Sequence, residues 1–371
     1  MPEVLKSLQR ADLSFCDEAS SFLQSGFWGK FKSRFGWEPI AFKVTWQNLS
    51  YNNDIYSDGV CGAGICEENE TAPLLVLRRS LGPGLSLAYV PWGPELPAGN
   101  ISHWAALKEL AVSLKKLLPK NTVFIRFDPP WQIIPDSASS SSIPPPFIRA
   151  GADIQAPDTV LIDLSCSMES IMEQMKPKWR YNARLALKKG VVIHKTGAEG
   201  VGVFYNLLGE TARRDGIAIH SMEYYRSLFE EAQSSPHSPL PTLYLAGHDG
   251  DVIAGIITVF RGQEAFYLYG ASSDKKRSFM APYALQVKAM EDAKDAGCTE
   301  YDLFGIPPCD DPDHPMAGLY RFKTGFGGRI VHRPGSWDYP CRPFIYHLFR
   351  SAETFRKNLR TLKKNRKKSR P

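Results

Sequence analysis

Thr242-Leu243-Tyr244-Leu245-Ala246-Gly247, Val252-Ile253-Ala254-Gly255-Ile256-Ile257-Thr258-Val259-Phe260 and Ala265-Phe266-Tyr267-Leu268-Tyr269-Gly270-Ala271-Ser272 are three largely apolar runs of strand length. Asp249-Gly250 and Arg261-Gly262 separate them. An Asp-Gly pair accepts the positive φ of a tight hairpin, so the three runs read as an antiparallel meander. A long helix is expected next over 282–296, stopped by Gly297, and then a strand from Glu300 to Phe304. Upstream, Val160 to Leu164 reads as a strand, with helices over roughly 168–189, 201–215 and 222–233. Helices, meander, helix, strand is an α+β order.

The first half repeats this order more loosely. Asp17 to Gln24 reads as a short helix leading into Phe27-Trp28-Gly29-Lys30-Phe31-Lys32, and Ile40 to Trp46 alternates as a strand does. Asn48 to Thr71 is polar and Gly-rich and is expected to be a loop. Leu74 to Leu77 and Leu85 to Val90 are strands around Gly82-Pro83-Gly84. A helix over 101–118 carries apolar residues at 104, 107, 110, 111, 114 and 118, and Thr122 to Phe127 is a buried strand. Ser137 to Pro146, a serine run followed by prolines, packs no core and reads as an exposed loop. The repetition predicts two tandem acetyltransferase (GNAT)-like domains. The first takes 1–155 and is completed by 330–371; the second fills 156–329.

With 371 residues, 43% hydrophobic and 23% charged, the chain has the composition of folded globular protein. No run approaches the roughly 20 apolar residues of a membrane-spanning helix, and Met1-Pro2-Glu3-Val4-Leu5-Lys6 has no signal-peptide character. A cytoplasmic protein is the expectation. Seven scattered cysteines read as free thiols; Cys61 and Cys66 alone are close, with no second ligand pair, so no metal site is expected. The net charge of +6 is uneven: from Arg342 to Pro371 there are eleven Lys/Arg and one acid, Glu353. The run Lys363 to Arg370 suits phosphate, on nucleic acid or on an anionic membrane surface at the inner face of the membrane, or else only solubility.

Three segments carry candidate chemistry. In Met175 to Gly190, Arg180, Arg184 and Lys188 recur every four residues as a basic stripe, with Trp179, Ala183 and Ala186 on an adjoining apolar face. Six basic residues and no acid between 176 and 189 fit a phosphate-rich partner; a solvated face is the alternative. Arg213-Arg214 near the end of a helix either complements its dipole or anchors a carboxylate or diphosphate. Lys323, in Leu319 to Gly328, stands among aromatics and glycines, where partial desolvation would let its charge act on a developing oxyanion; taken alone it reads as an ordinary surface lysine. Ser273 to Ala281, the place of the Gly-rich turn that grips acetyl-CoA in related folds, has no glycine, which argues against acetyl-CoA as donor.

Seven segments together resemble the FemABX family, aminoacyl-tRNA-dependent peptidyltransferases of peptidoglycan cross-bridges. They are Phe22 to Ser25 with Trp28 to Lys32; Lys178 to Arg184; Ala212 to Ile217; Tyr267 to Ser272; Ala281 to Gln286; Tyr301 to Ile306; and Phe322 to Gly327. The resemblance implies attack of a stem-peptide amine on the ester of aminoacyl-tRNA, the amino acid being Gly, Ala or Ser and the acceptor a UDP-linked muramyl-pentapeptide or lipid II. No cofactor is implied. Lys323 matches the oxyanion-stabilising lysine, with Phe322 beside it; Lys32 and Arg214 match diphosphate-binding positions, and Tyr269 lies in a motif near the stem peptide. Substrate between the domains would bring Lys32, Arg214 and Lys323 together. Arg180, Arg184 and Lys188 would meet tRNA phosphates. Asp128, before Pro129, is a candidate general base. No heptad insertion lies between 200 and 240, so the long coiled-coil arm of some members is not expected. The other readings are a GNAT-fold N-acyltransferase with another acyl donor and a non-catalytic RNA-binding protein.

Overall fold

The computed structural model describes residues 4–52, 64–96, 102–133, 143, 145–233 and 238–368, and the side chains among them except at 48–52, 64–68 and 356–368. Most of the 137–146 run, together with Cys61, lies outside them. Two compact units form, 1–155 with 334–371 and 156–333, each on its own seven-stranded sheet.

The first unit opens with β1 (Leu5–Ala11), then α1 (Gly26–Ser33), capped by the Ser25 hydroxyl on the Trp28 N–H. The meander β2 (Glu38–Asn52), β3 (Gly64–Gly82) and β4 (Leu85–Val90) follows, then α2 (His103–Leu117), β5 (Thr122–Phe127) and the short β6 (Ile148–Arg149). α2 buries Trp104, Ala106, Leu107, Leu110, Ala111 and Leu114 on the sheet, the face its spacing predicts. Each leucine so buried contributes ~1.5–3 kcal/mol.

One expectation fails here. Residues 48–52 and 64–71 are a continuous two-stranded ribbon, paired from Trp46↔Glu70 to Asn52↔Gly64, not a loop. Polarity correctly marks a segment that packs no core, but ladder hydrogen bonds need no apolar side chains.

The second unit runs β7 (Asp158–Asp163), α3 (Met168–Gln174), α4 (Pro177–Lys188), β8 (Val192–Thr196), α5 (Val201–Asp215), α6 (Met222–Ala232), β9 (Leu240–His248), β10 (Asp251–Arg261), β11 (Glu264–Ser272), α7 (Ala281–Asp295), β12 (Glu300–Asp302), α8 (Ala317–Thr324) and β13 (Arg329–His332). The expected helix over 168–189 is two helices. Pro177 has no N–H to continue α3 and starts α4, while the Lys176 N–H turns to the Gly325 carbonyl at 2.9 Å. α5 and α6, of 15 and 11 residues, are the helices of the 200–233 interval, so the described residues hold no long coiled-coil arm.

The chain then returns to the first sheet as β14 (Trp337–Pro340), between β5 and β6, and ends in α9 (Pro343–Lys368). The domain boundary differs from the expectation: β13 pairs with β7 and the Arg333 N–H reaches the Pro157 carbonyl, so 330–333 belong to the second unit. Gly328 fixes that crossing. Its φ is +78°, and a Cβ there would lie 2.3 Å from the Leu161 carbonyl oxygen.

Candidate active site

Both sheets set a parallel strand beside the last strand of the meander, but they differ in how far the pair runs. In the first unit β4 and β5 pair from Ser86↔Thr122 to Val90↔Phe127, and the Asp128 N–H extends the ladder to the Val90 carbonyl at 3.1 Å. In the second, β11 and β12 pair only at Glu264↔Glu300, Ala265↔Tyr301 and Phe266↔Asp302. Beyond these, β11 runs on to Ser272, its register against β10 skipping Leu268, a bulge that bends the strand. After Asp302 the other side departs through Phe304, whose φ of +59° is left-handed. The two strands therefore part.

Lys323, from α8, occupies this opening. Its ammonium donates to the carbonyls of Phe304 (3.0 Å) and Gly305 (2.9 Å) and lies 5.2 Å from the centre of the Tyr267 ring. Only 5% of the residue is exposed. Burial, partly offset by the attraction of Asp302, pushes its pKa down to about 7. An ammonium has three donors. Among the described residues two are used here, leaving one for a ligand oxygen.

Three features hold α8 in place. The Trp179 indole N–H donates to the Phe322 carbonyl at 2.8 Å. The Phe322 ring meets Tyr283 and Phe326 edge-on at 5.3 and 5.1 Å. Gly325 lets Trp179 approach, since a Cβ there would fall 2.1 Å from the indole. Phe322 thus positions its neighbour Lys323 within the aromatic core.

Asp302 lies in the Tyr301 to Ile306 motif, but the sequence assigns it no role. Its Oδ1 accepts the Phe304 N–H at 2.6 Å and the Thr159 hydroxyl, and Arg333 stands 3.6 Å from Oδ2. The carboxylate ties down Phe304 in its left-handed turn, which aims two successive carbonyls at Lys323. Its charge also favours the ammonium form of that lysine. Asp302→Asn keeps an acceptor for the Phe304 N–H but removes the charge, so the Lys323 pKa should fall further. The expected result is a transfer rate roughly 5–10-fold below wild type at pH 7, a gap that closes on acidification as both rates fall with the free amine. A rate lowered equally at all pH values would point to structural damage alone.

Lys32 lies in the first unit on α1, 5.3 Å from the centre of the Trp28 ring. Burial, followed by repulsion from Arg79, lowers its pKa to about 8. Arg79 itself stacks over Trp37 at 5.2 Å. Two cations close enough to repel each other make a suitable anchor for an anion. Nothing in the sequence pairs Arg79 with Lys32; the register of β3 against the sheet does.

The remaining candidates are more committed to the fold. Arg214 pairs with Asp215 (2.9 Å) and Asp274 (3.0 Å) and donates to the Ser272 carbonyl at 3.0 Å, tying α5 to the end of β11. An anion would have to compete with both acids. Tyr269 is hydrogen-bonded to Tyr224 and meets the Tyr225 ring edge-on at 5.0 Å; burial raises its hydroxyl pKa well above the ordinary value. Arg180 donates to the Met172, Glu173 and Met175 carbonyls at 3.3, 2.7 and 3.0 Å, which makes it the cap of α3 rather than part of a continuous phosphate stripe. Arg184 and Lys188 are exposed. Asp128, in the first unit, is buried and accepts hydrogen bonds from the Tyr89 and Ser336 hydroxyls and the Gln155 N–H. Burial raises it to about 6, and its partners make it a junction of β4, the 155 segment and the returning chain.

Comparison with known proteins agrees with this architecture. A solved FemX structure superposes with a TM-score of 0.74 at 18% identity, covering 92% of this chain and 99% of that one. A tandem GNAT protein from the clavulanic acid biosynthesis pathway gives 0.50 at 11% identity, covering 90% and 98%. Lipid II:glycine glycyltransferase of Staphylococcus epidermidis (strain ATCC 35984) is 24% identical, over 53% of this chain and 61% of its own length. The protein of that name from Staphylococcus aureus (strain USA300) is 22% identical, over 54% and 62%. The chain thus spans less than two thirds of those relatives. The FemAB family model matches residues 147–240 and 241–354, together more than half of the sequence, and the chain belongs to the FemAB family.

Proposed function

We propose that this protein is an aminoacyltransferase that moves an amino acid from aminoacyl-tRNA to the stem-peptide amine of a peptidoglycan precursor, in formation of the interpeptide bridge. The observation that carries this reading is the buried Lys323 ammonium in the opening between β11 and β12. The amine nitrogen attacks the ester carbonyl, a C–N bond forms, and the carbonyl oxygen takes up negative charge. Lys323 donates to that oxyanion. On collapse the ester C–O bond breaks, the tRNA hydroxyl leaves with a proton, and the attacking amine gives up its own. An ester is already activated, so orientation and one placed cation lower the barrier without a covalent intermediate.

Lys32, with Arg79, binds the diphosphate of the precursor, and Arg214 and Tyr269 shape the acceptor side. Arg184 and Lys188 meet tRNA phosphate. The reaction takes place in the cytoplasm at the inner face of the membrane, with the basic C-terminal segment on anionic lipid. Names of the relatives favour glycine and lipid II. The deciding experiment measures transfer of radiolabelled amino acid from charged tRNAs to UDP-linked muramyl-pentapeptide and to lipid II. Transfer from one charged tRNA is expected; failure with every charged tRNA and both acceptors would refute the reading.

The diphosphate assignment has its own test. Lys32→Ala should raise KM for the precursor roughly 10-fold, the usual loss of a charged hydrogen bond, with kcat nearly unchanged. Lys32 loses its charge above about pH 8, so the wild-type KM should climb there, whereas Lys32→Arg should hold it level. A KM that ignores both variants would remove Lys32 from the site.

A further inference from the structure

α9 docks on the first sheet by one side only. Tyr346 is fully buried and its hydroxyl donates to Asp338 at 2.8 Å; Phe349 packs against Phe124, with ring centres 5.4 Å apart; Arg350 donates to the Arg149 carbonyl at 2.9 Å. The opposite side is apolar and open. Phe344, Leu348 and Phe355 are 77%, 56% and 64% exposed. Steps of four and seven residues place these three on one helical stripe, and the sequence continues the spacing with Leu359 and Leu362. The segment from Arg342 onward carries eleven Lys/Arg against one acid. Among the described residues no helix is long and apolar enough to cross a membrane.

We propose that α9 is an interfacial helix, whose Phe344–Leu348–Phe355 stripe inserts into the surface of an anionic bilayer while the Lys and Arg residues of the segment attract the lipid phosphates. This deepens the membrane contact proposed above, which rests on the charge of the tail alone. Exposed large apolar side chains cost free energy in water, and burying them at the level of the headgroups lowers it, so the stripe has a use that charge by itself does not supply. A nucleic acid would be held by the basic residues and would draw nothing from Leu348. Charge brings the helix to the surface, and insertion holds it there.

The test is co-sedimentation of the full chain with vesicles of phosphatidylglycerol and phosphatidylcholine at physiological salt. Binding is expected, with a partition at least ~10-fold lower for Phe344→Ser/Leu348→Ser/Phe355→Ser in one chain. These side chains point to solvent, so folding should be intact, and unchanged transfer to the soluble UDP-linked acceptor would verify that. Equal binding by the two chains would overturn the proposal, as would a wild-type chain that stays in the supernatant. A triple variant that loses tRNA but keeps vesicles would overturn it in favour of nucleic acid. Absence of transfer to both the UDP-linked acceptor and lipid II, in both chains, would count against the acyltransferase and not against the helix, because sedimentation needs no turnover.

Discussion

Lys323→Ala is expected to lose at least ~100-fold in transfer rate, the usual cost of removing one donor from an oxyanion site. The loss should fall on kcat, because the lysine serves charge that develops during reaction and not the bound substrates. Lys323→Met is the companion variant, filling the same apolar space without the charge. Placing an ammonium in this interior disfavours its charged form, so the folded state holds the proton less tightly than the unfolded chain. The cost to stability is complete below about pH 7 and shrinks as the pH rises from there toward 10.5, the ordinary lysine value. Lys323→Met removes the cost and also two hydrogen bonds to carbonyls, so its melting temperature should stay within a few degrees of wild type. Inactive but folded is the expected pair of results.

The pH dependence separates an oxyanion partner from a general base. An acceptor amine with an ordinary pKa of about 10 becomes free tenfold per pH unit. If Lys323 acts as the ammonium, its own loss of charge above about pH 7 cancels that gain, and the wild-type rate should rise to pH 7 and then level. Were it a base, the rate would rise more steeply below pH 7 and keep rising above it. Lys323→Ala should show a single slope throughout, so the ratio of wild type to variant falls above pH 7. A ratio that grows with pH would exclude the oxyanion role.

Local chemistry decided which parts of the fold were legible in sequence. α5 has the bounds expected from its spacing, and β9, β10 and β11 lie within two residues of theirs, because Asp249-Gly250 and Arg261-Gly262 fix the turns. β1, β8 and β13 lie at sheet edges and mix apolar with polar residues, leaving no period to read. β14 is four residues long and exists only because β5 and β6, more than 180 residues earlier, flank it. The site follows the same division. Lys323 could be suspected from a motif, but its burial comes from Tyr267 and from carbonyls at 304 and 305, which the meander and β12 bring to it. Asp302 looked like one more strand residue, since its partners Thr159 and Arg333 are set by pairing at a distance. Arg180 shows the converse: the four-residue stripe is real, yet the break at Pro177 turns one member inward to cap α3.

Asp338→Ala is expected to destabilise the first unit by ~3–5 kcal/mol, because it strands a charge in the core. Asp338 is 1% exposed and sits on β14, the strand by which the chain returns to the first sheet. Arg126 grips it with two bonds, Nε to Oδ1 at 2.7 Å and Nη2 to Oδ2 at 2.9 Å, and the Tyr346 hydroxyl adds a third at 2.8 Å. A paired ion of this geometry contributes little net stability, since desolvation offsets attraction; removing one partner exposes the whole desolvation penalty of the other. The melting transition of this unit should fall by roughly 10 °C, at 2–4 °C per kcal/mol for a domain of this size. Arg126→Met with Asp338→Leu removes both charges and should recover most of the loss. Recovery would show that Asp338→Ala fails through the abandoned guanidinium, whereas a double variant as unstable as the single would mean the pair itself welds β14 to β5. Either way the effect reaches the completion of the first sheet by a segment that follows the entire second unit, so a chain cut before β14 should lose the first unit and leave 156–333 folded.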